Sequence, residues 1–104
     1  MIFIETSVFS RLVQTLLTDE EYRDLQNALI VQPDHGPVIP GGGGLRKMRW
    51  RYRGKGKRGG VRVIYYLATG DRILMVYIYQ KGKQDDLTPE QLKRLRRIIE
   101  EEQQ

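Results

Sequence analysis

The sequence has no cysteine, a single histidine and no long apolar run. Without cysteine there can be no disulfide framework and no thiolate metal site, and the absence fits a reducing compartment. No apolar run approaches the roughly 20 residues that a membrane helix needs. The amino terminus also lacks the basic and apolar regions of a signal peptide. We therefore expect a soluble, cytoplasmic protein that does not contact a membrane.

Acidic residues are missing from about a third of the chain. Residues 35–70 contain nine Lys or Arg and no Asp or Glu, whereas the rest contains nine basic and thirteen acidic residues, a balance of −4. The net charge of +5 therefore comes from one region. Concentrated positive charge attracts polyanions, most often phosphate backbones and less often acidic protein segments. The pattern favours a nucleic-acid partner.

The usual catalytic constellations are also missing. One histidine and no carboxylate cluster argue against a metal site, and we expect no cofactor. His35 has no second histidine or orienting partner nearby in the sequence, which favours a surface or turn-capping role over that of a catalytic base. The glycine-rich segments 41–47 and 54–60 do not match a phosphate-binding loop, because each leads into a predicted strand where that loop needs a helix.

The length, the hydrophobic content and the apolar segments of the chain indicate one small α+β domain, residues 1–104. The chain has 104 residues, 39% of them hydrophobic, which suits a single modest core. Alternating or continuous apolar segments predict strands at residues 1–5, 45–53, 61–68 and 72–80. The segment 72–80 is apolar on both faces, so we expect a central strand there.

Three helix starts complete the predicted order β-α-α-β-β-β-α. Thr6 or Ser7 can cap the first helix, and Thr18 with Glu21 forms a capping box for the second, which stops at Pro33. Thr88 begins a third helix, with Pro89 in its first turn and Gln91 closing another box. Because few residues separate the first two helices, they are predicted to form an antiparallel hairpin.

The basic residues are distributed in a pattern that argues against a merely solvated face, the ordinary interpretation of clustered charge. In the strand predicted at 45–53, alternation puts Met48 and Trp50 on one face and four cations on the other: Lys47, Arg49, Arg51 and Arg53. Arg62 stands inside an otherwise apolar strand. It either snorkels to the surface at the strand entrance or is held there to point at an anion.

Three segments, GGGGLRKMRW, GKGKRGGVRVIYY and VYIYQKGKQDDLTPEQ, together with the element order, resemble the RelE/HigB family of bacterial toxins. These are ribosome-dependent mRNA endonucleases of toxin-antitoxin systems, and the resemblance is strongest to the HigB-type branch. It covers nearly the whole chain. It implies a small twisted antiparallel sheet with two N-terminal helices on one side and a C-terminal helix.

The resemblance also implies partners. The concave surface of the sheet would receive mRNA in the ribosomal A site, beside 16S rRNA. A cognate antitoxin would bind the toxin and carry a helix-turn-helix DNA-binding domain, so that operator DNA is contacted only through the antitoxin.

The family's reaction implies roles for individual residues. The ribose 2′-OH attacks the scissile phosphate, and no metal is required. Arg62 matches the family's strand arginine and would hold the phosphate and stabilise the charge that develops on it. Crowding of like charges makes a lysine easier to deprotonate, so Lys57, Lys55 and Lys81 are candidate bases, with Lys57 ahead because of its motif. The catalytic candidates are thus Arg62, Lys57 and Lys81. The RNA-binding candidates are Lys47, Arg49, Arg51, Arg53, Lys55, Arg58 and Lys83.

Two departures leave alternatives open. RelE has an arginine just after the fourth strand and a tyrosine at the start of the last helix, where this chain has Lys81, Gly82 and Lys83 and then Thr88. Either Lys81 and Lys83 take over the roles of the RelE arginine and tyrosine, or the catalytic roles are distributed differently among the residues of this chain. The alternative function is that of a binding module of the same fold without cleavage, either a gyrase inhibitor of the ParE type or an RNA-binding factor.

Overall fold

The computed structural model describes residues 1–50, 60–69, 71–84 and 86–102. Its elements are β1 (Ile2–Glu5), α1 (Ser7–Leu16), α2 (Asp19–Val31), β2 (Arg46–Trp50), β3 (Val61–Leu67), β4 (Arg72–Gln80) and α3 (Pro89–Glu102). The predicted α+β class and element order are confirmed. No helix in these ranges combines the length and the apolar character needed to cross a membrane.

The helices begin where the capping residues predict. The Phe9 amide donates to the Thr6 hydroxyl at 3.1 Å, which makes Thr6 the cap of α1. Thr18 and Glu21 form the complete capping box of α2. Thr88 and Gln91 exchange the same pair of bonds at the start of α3. Each box satisfies amide donors that a helix N-terminus would otherwise leave without partners.

The four strands form one sheet in the order β1-β4-β3-β2, with β4 between β1 and β3 as its apolar character predicts. One expectation needs correction: the sheet is mixed and not wholly antiparallel, because β1 pairs with β4 in parallel. The pairs β2–β3 and β3–β4 are antiparallel, so β1 and β2 run in the same direction. Strands that run the same way cannot be joined by a tight turn, and α1 and α2 supply the longer crossover connection.

The sheet has a different apolar layer on each side. On the hairpin face, defined by Met48, Val63, Tyr65 and Met75, the sheet packs against α1 and α2. The helices contribute Phe9, Val13, Leu17, Leu25 and Leu29 to this layer. On the α3 face, defined by Leu45, Ile64, Leu74, Val76 and Tyr79, the sheet packs against Leu95 and Ile99 of α3. Removal of these side chains from water is the main stabilising contribution on both sides.

An extra residue in β4 changes which side chains face α3. Ile64 pairs with Tyr77 and the next residue, Tyr65, pairs with Met75, so Val76 is an unpaired bulge residue. A bulge of one residue shifts the alternation of all the positions beyond it. As a result, Tyr77 and Tyr79 share the α3 face with Ile64 and Arg62, and their rings lie 6.0 Å apart.

Candidate nucleic-acid interface on the α3 face

Three polar side chains form a row across the sheet on the α3 face. Arg49 of β2 pairs with Arg62 of β3, and Arg62 pairs with Tyr79 of β4. Directly opposed like charges destabilise a pair of strands. Two arginines in register are therefore a costly arrangement for the free protein, and an anion bound between them would offset that cost.

Arg62 is the one buried charged side chain among the described residues, with 6% of its surface exposed. It stands on an interior strand between the buried Val61 and Val63, and its Nη1 lies 3.4 Å from the Val61 carbonyl oxygen. Burial of a charge is costly unless it is compensated by hydrogen bonds or by an opposite charge. Of the two roles that the sequence leaves open for Arg62, a held guanidinium fits this burial better than a side chain extended into solvent.

Tyr79, next to Arg62, is also buried, with 5% exposure. Its hydroxyl has no hydrogen-bond partner among the described residues. Burial raises the pKa of Tyr79 to about 12, and the negative charge of Asp86 adds to the shift. The hydroxyl therefore remains protonated and able to donate a hydrogen bond at neutral pH.

A carboxylate lies beside these cations. Asp86 Oδ1 is 3.3 Å from Lys47 Nζ and accepts the Leu87 amide at 2.8 Å. The Leu87 amide first, and then the Lys47 ammonium, hold the pKa of Asp86 below its ordinary value, and Lys81 also contributes. A carboxylate with a lowered pKa is a weak proton acceptor, so Asp86 is suited to pair with cations and not to act as a base.

The turn after β4 positions two further lysines. The Lys81 amide donates to the Gly60 carbonyl at 3.0 Å, which brings Lys81 to the end of the sheet where β3 begins. Gly82 follows with a φ of 101°, in the left-handed region that favours glycine, and Lys83 is exposed. Lys81 thus shares one end of the sheet with Arg62, while Lys83 lies farther along the turn.

The loop before β2 contributes the histidine. His35 is exposed and lines a cleft of about 400 Å³ with Pro37, Lys47, Met48 and Arg49. The Lys47 amide donates to the Pro37 carbonyl at 3.1 Å, which holds the loop against the edge of β2. His35 is therefore a surface residue of the loop, as predicted, and it is also adjacent to the candidate interface.

The described residues bring together four of the sequence candidates: Arg62, Lys47, Arg49 and Lys81. The candidates Arg51, Arg53, Lys55, Lys57 and Arg58 lie outside the described residues. Sequence reasoning missed Tyr79 and Asp86. Asp86 carried a signal, since it precedes the cap of α3 and follows two lysines, but Tyr79 reaches this face only because of the bulge.

The cations and the phenol of the site can bind and polarise a phosphate, and the carboxylate pairs with Lys47. No group of three or more metal-ligating side chains occurs in the part of the chain that the structure describes. A protein-family model described as the RelE toxin of the RelE/RelB toxin-antitoxin system matches residues 5–104.

Proposed function

Because the chain belongs to the RelE toxin family of toxin-antitoxin systems, we propose that it is a ribosome-dependent mRNA endonuclease. RelE toxins are generally RNases that inhibit translation, and membership of the family implies a cognate antitoxin. The finer proposal is that the chain cleaves mRNA in the ribosomal A site and belongs to the HigB-type branch.

The observation that carries the proposal is Arg62, buried on the interior strand β3 near the end where that strand begins, with Arg49 directly opposite. A guanidinium is permanently charged and presents a planar fork that matches two oxygens of a phosphate. A buried arginine within an apolar strand contributes little to a core, whereas it suits a preorganised anion site. Lys47 and Lys81 extend the positive charge around it.

The proposed reaction is a transesterification at the scissile phosphate. The ribose 2′-oxygen loses its proton to a base and forms a bond to phosphorus, the bond to the 5′-oxygen breaks, and an acid protonates the leaving oxygen. The products are a 2′,3′-cyclic phosphate and a 5′-hydroxyl. Arg62 would stabilise the extra negative charge of the transition state, which is where fixed donors contribute most. Lys81 and Lys57 remain the candidates for the proton transfers.

Dependence on the ribosome has a physical reason in this scheme. The candidate bases are lysines, which are weak proton acceptors at neutral pH, so the reaction relies on the position of the substrate. Alignment of reacting groups can lower a barrier by up to about 7 to 11 kcal/mol. A ribosome that holds mRNA with its 2′-oxygen in line with the leaving oxygen would supply part of this reduction.

The positive charge of the α3 face also indicates which kind of antitoxin segment would bind there. We propose that an acidic or amphipathic segment of the antitoxin covers the cations of the α3 face, which would neutralise them sterically and electrostatically. The DNA-binding part of the pair, a helix-turn-helix domain, would belong to the antitoxin.

The test is to incubate purified protein with an mRNA, with and without ribosomes, and to map the new 5′ ends. We expect cleavage only with ribosomes, and binding to RNA that weakens steeply with salt because several phosphates are neutralised at once. Equal cleavage of free RNA would contradict ribosome dependence. Intact mRNA together with inhibited gyrase supercoiling would replace the proposal with a ParE-type function.

A further inference from the structure

Two of the tyrosines that the structure describes are buried, and their hydroxyls have opposite environments. Tyr65, on the hairpin face, donates to the Pro33 carbonyl and accepts from the Gly36 amide, each at 2.8 Å. Tyr79, on the α3 face, has no hydrogen-bond partner among the described residues, although it is 5% exposed. Buried polar groups are nearly always paired, so an exception calls for an explanation.

The position of Tyr79 supplies that explanation. It pairs directly with Arg62, which pairs with Arg49, so the three side chains form one row. The phenol lies close enough to Arg62 for the guanidinium charge to affect its titration. An anion held by Arg62 would therefore lie within reach of an available donor on the neighbouring strand.

We propose that the Tyr79 hydroxyl is a substrate-contacting group that donates a hydrogen bond to a non-bridging oxygen of the phosphate held by Arg62. This inference rests on the proposed function and extends it to a residue that neither the charge pattern nor the sequence motifs indicate. A tyrosine hydroxyl is protonated at neutral pH, and burial makes its ionisation harder still by raising the pKa to about 12, so Tyr79 acts as a donor and not as the base.

The first experiment compares Tyr79→Phe with Tyr77→Phe. The two tyrosines lie on the same strand and the same face with rings 6.0 Å apart, so each variant removes one hydroxyl from the same neighbourhood. On ribosome-bound mRNA, Tyr79→Phe should lower the single-turnover cleavage rate about 10- to 100-fold, as for loss of a hydrogen bond to a charged group. Tyr77→Phe should cleave at the wild-type rate.

Thermal unfolding distinguishes this role from a structural one. The Tyr79 hydroxyl is buried without a hydrogen bond to any described residue, so its removal should leave the Tm of Tyr79→Phe equal to or above that of the wild type. Lower activity together with undiminished stability supports contact with the substrate. A Tm that falls in proportion to the activity would assign Tyr79 to the scaffold and overturn the inference.

A second experiment does not depend on cleavage. In protein labelled with ¹³C at the tyrosine Cζ position, inorganic phosphate should shift the Tyr79 resonance, leave that of Tyr77 in place and have no effect on Tyr79 in Arg62→Ala. If phosphate does not move Tyr79, or if Tyr79→Phe cleaves at the wild-type rate, the inference is wrong. If phosphate moves Tyr79 but the wild type cleaves no RNA, the proposed function fails and the anion contact stands.

Discussion

The hairpin face and the α3 face of the sheet both pack against helices, but they bury different polar side chains. On the hairpin face, the Tyr65 hydroxyl links Pro33 and Gly36 of the loop to β3, and its hydrogen bonds are complete. On the α3 face, Arg62 and Tyr79 are buried side by side, with Arg49 in the same row. The tyrosine hydroxyl of the hairpin face is paired within the chain, whereas that of the α3 face lies beside a buried cation and has no hydrogen-bond partner among the described residues.

This difference indicates that the hairpin face serves as the scaffold and that the α3 face carries the candidate site. Local rules of burial and pairing hold throughout most folded proteins and are broken mainly at functional positions. The hairpin face follows those rules, whereas the α3 face buries a cation beside a hydroxyl that has no hydrogen-bond partner among the described residues. Loss of the Tyr65 hydroxyl should therefore change stability, and substitution of Arg62 or Tyr79 should change activity.

The largest effect is expected for Arg62→Ala. Loss of one preorganised donor to the transition state typically lowers a rate about 10²- to 10³-fold, and Arg62 would supply two donors to the phosphate. Single-turnover cleavage of ribosome-bound mRNA measures the rate, with Arg72→Ala as the matched control because Arg72 is exposed at the other end of β4. Arg62→Lys should retain part of the activity, since it keeps the charge and loses the fork. Equal cleavage rates for Arg62→Ala and Arg72→Ala would contradict the proposed role of Arg62 in the reaction.

A smaller effect, on stability, is expected for Tyr65→Phe. The Gly36 amide would lose its partner in a buried position, at a cost of about 1 to 3 kcal/mol in the free energy of unfolding. Urea denaturation measures this change. Cleavage should stay at the wild-type rate at temperatures where the variant is folded. A stable but inactive Tyr65→Phe would show that the hairpin face takes part in the reaction.

The smallest effect is expected for Asp86→Asn. The Leu87 amide, and then Lys47, lower the pKa of Asp86 in the folded protein, so these contacts stabilise the fold above the unfolded-state pKa. That contribution is lost as pH falls through the folded-state pKa. The Asp86 side chain is 68% exposed, so the contribution should be under about 1 kcal/mol. Unfolding followed between about pH 2 and pH 6 should show a slightly shallower acid dependence for Asp86→Asn than for the wild type. A steeper dependence would contradict the assignment.

Much of the fold could be predicted from local chemistry. Thr18 with Glu21 and Thr88 with Gln91 are capping boxes whose hydrogen bonds depend on neighbouring residues alone, and both are confirmed. The apolar segment 72–80 predicted a central strand, because a strand buried on both faces needs neighbours on each side, and β4 has them. Alternation in β2 correctly separated Met48 from Lys47 and Arg49.

The rest depends on contacts between distant parts of the chain. The parallel pairing of β1 with β4 brings residues about 70 positions apart into register, and no local pattern in β1 specifies its direction. The bulge at Val76 moves Tyr79 onto the α3 face, although simple alternation gives no sign of the extra residue. Asp86 contacts Lys47, which lies 39 positions earlier in the chain. These contacts complete the site, which is why the sequence indicated its cations and missed its phenol and carboxylate.

The most direct test of the division between the two faces is the single-turnover cleavage rate of Arg62→Ala and Tyr65→Phe on the same ribosome-bound mRNA, at a temperature where both variants are folded. We predict a loss of about 100-fold or more for Arg62→Ala and a rate within about twofold of the wild type for Tyr65→Phe. Similar losses in the two variants, or undiminished cleavage by Arg62→Ala, would contradict the assignment of the reaction to the α3 face.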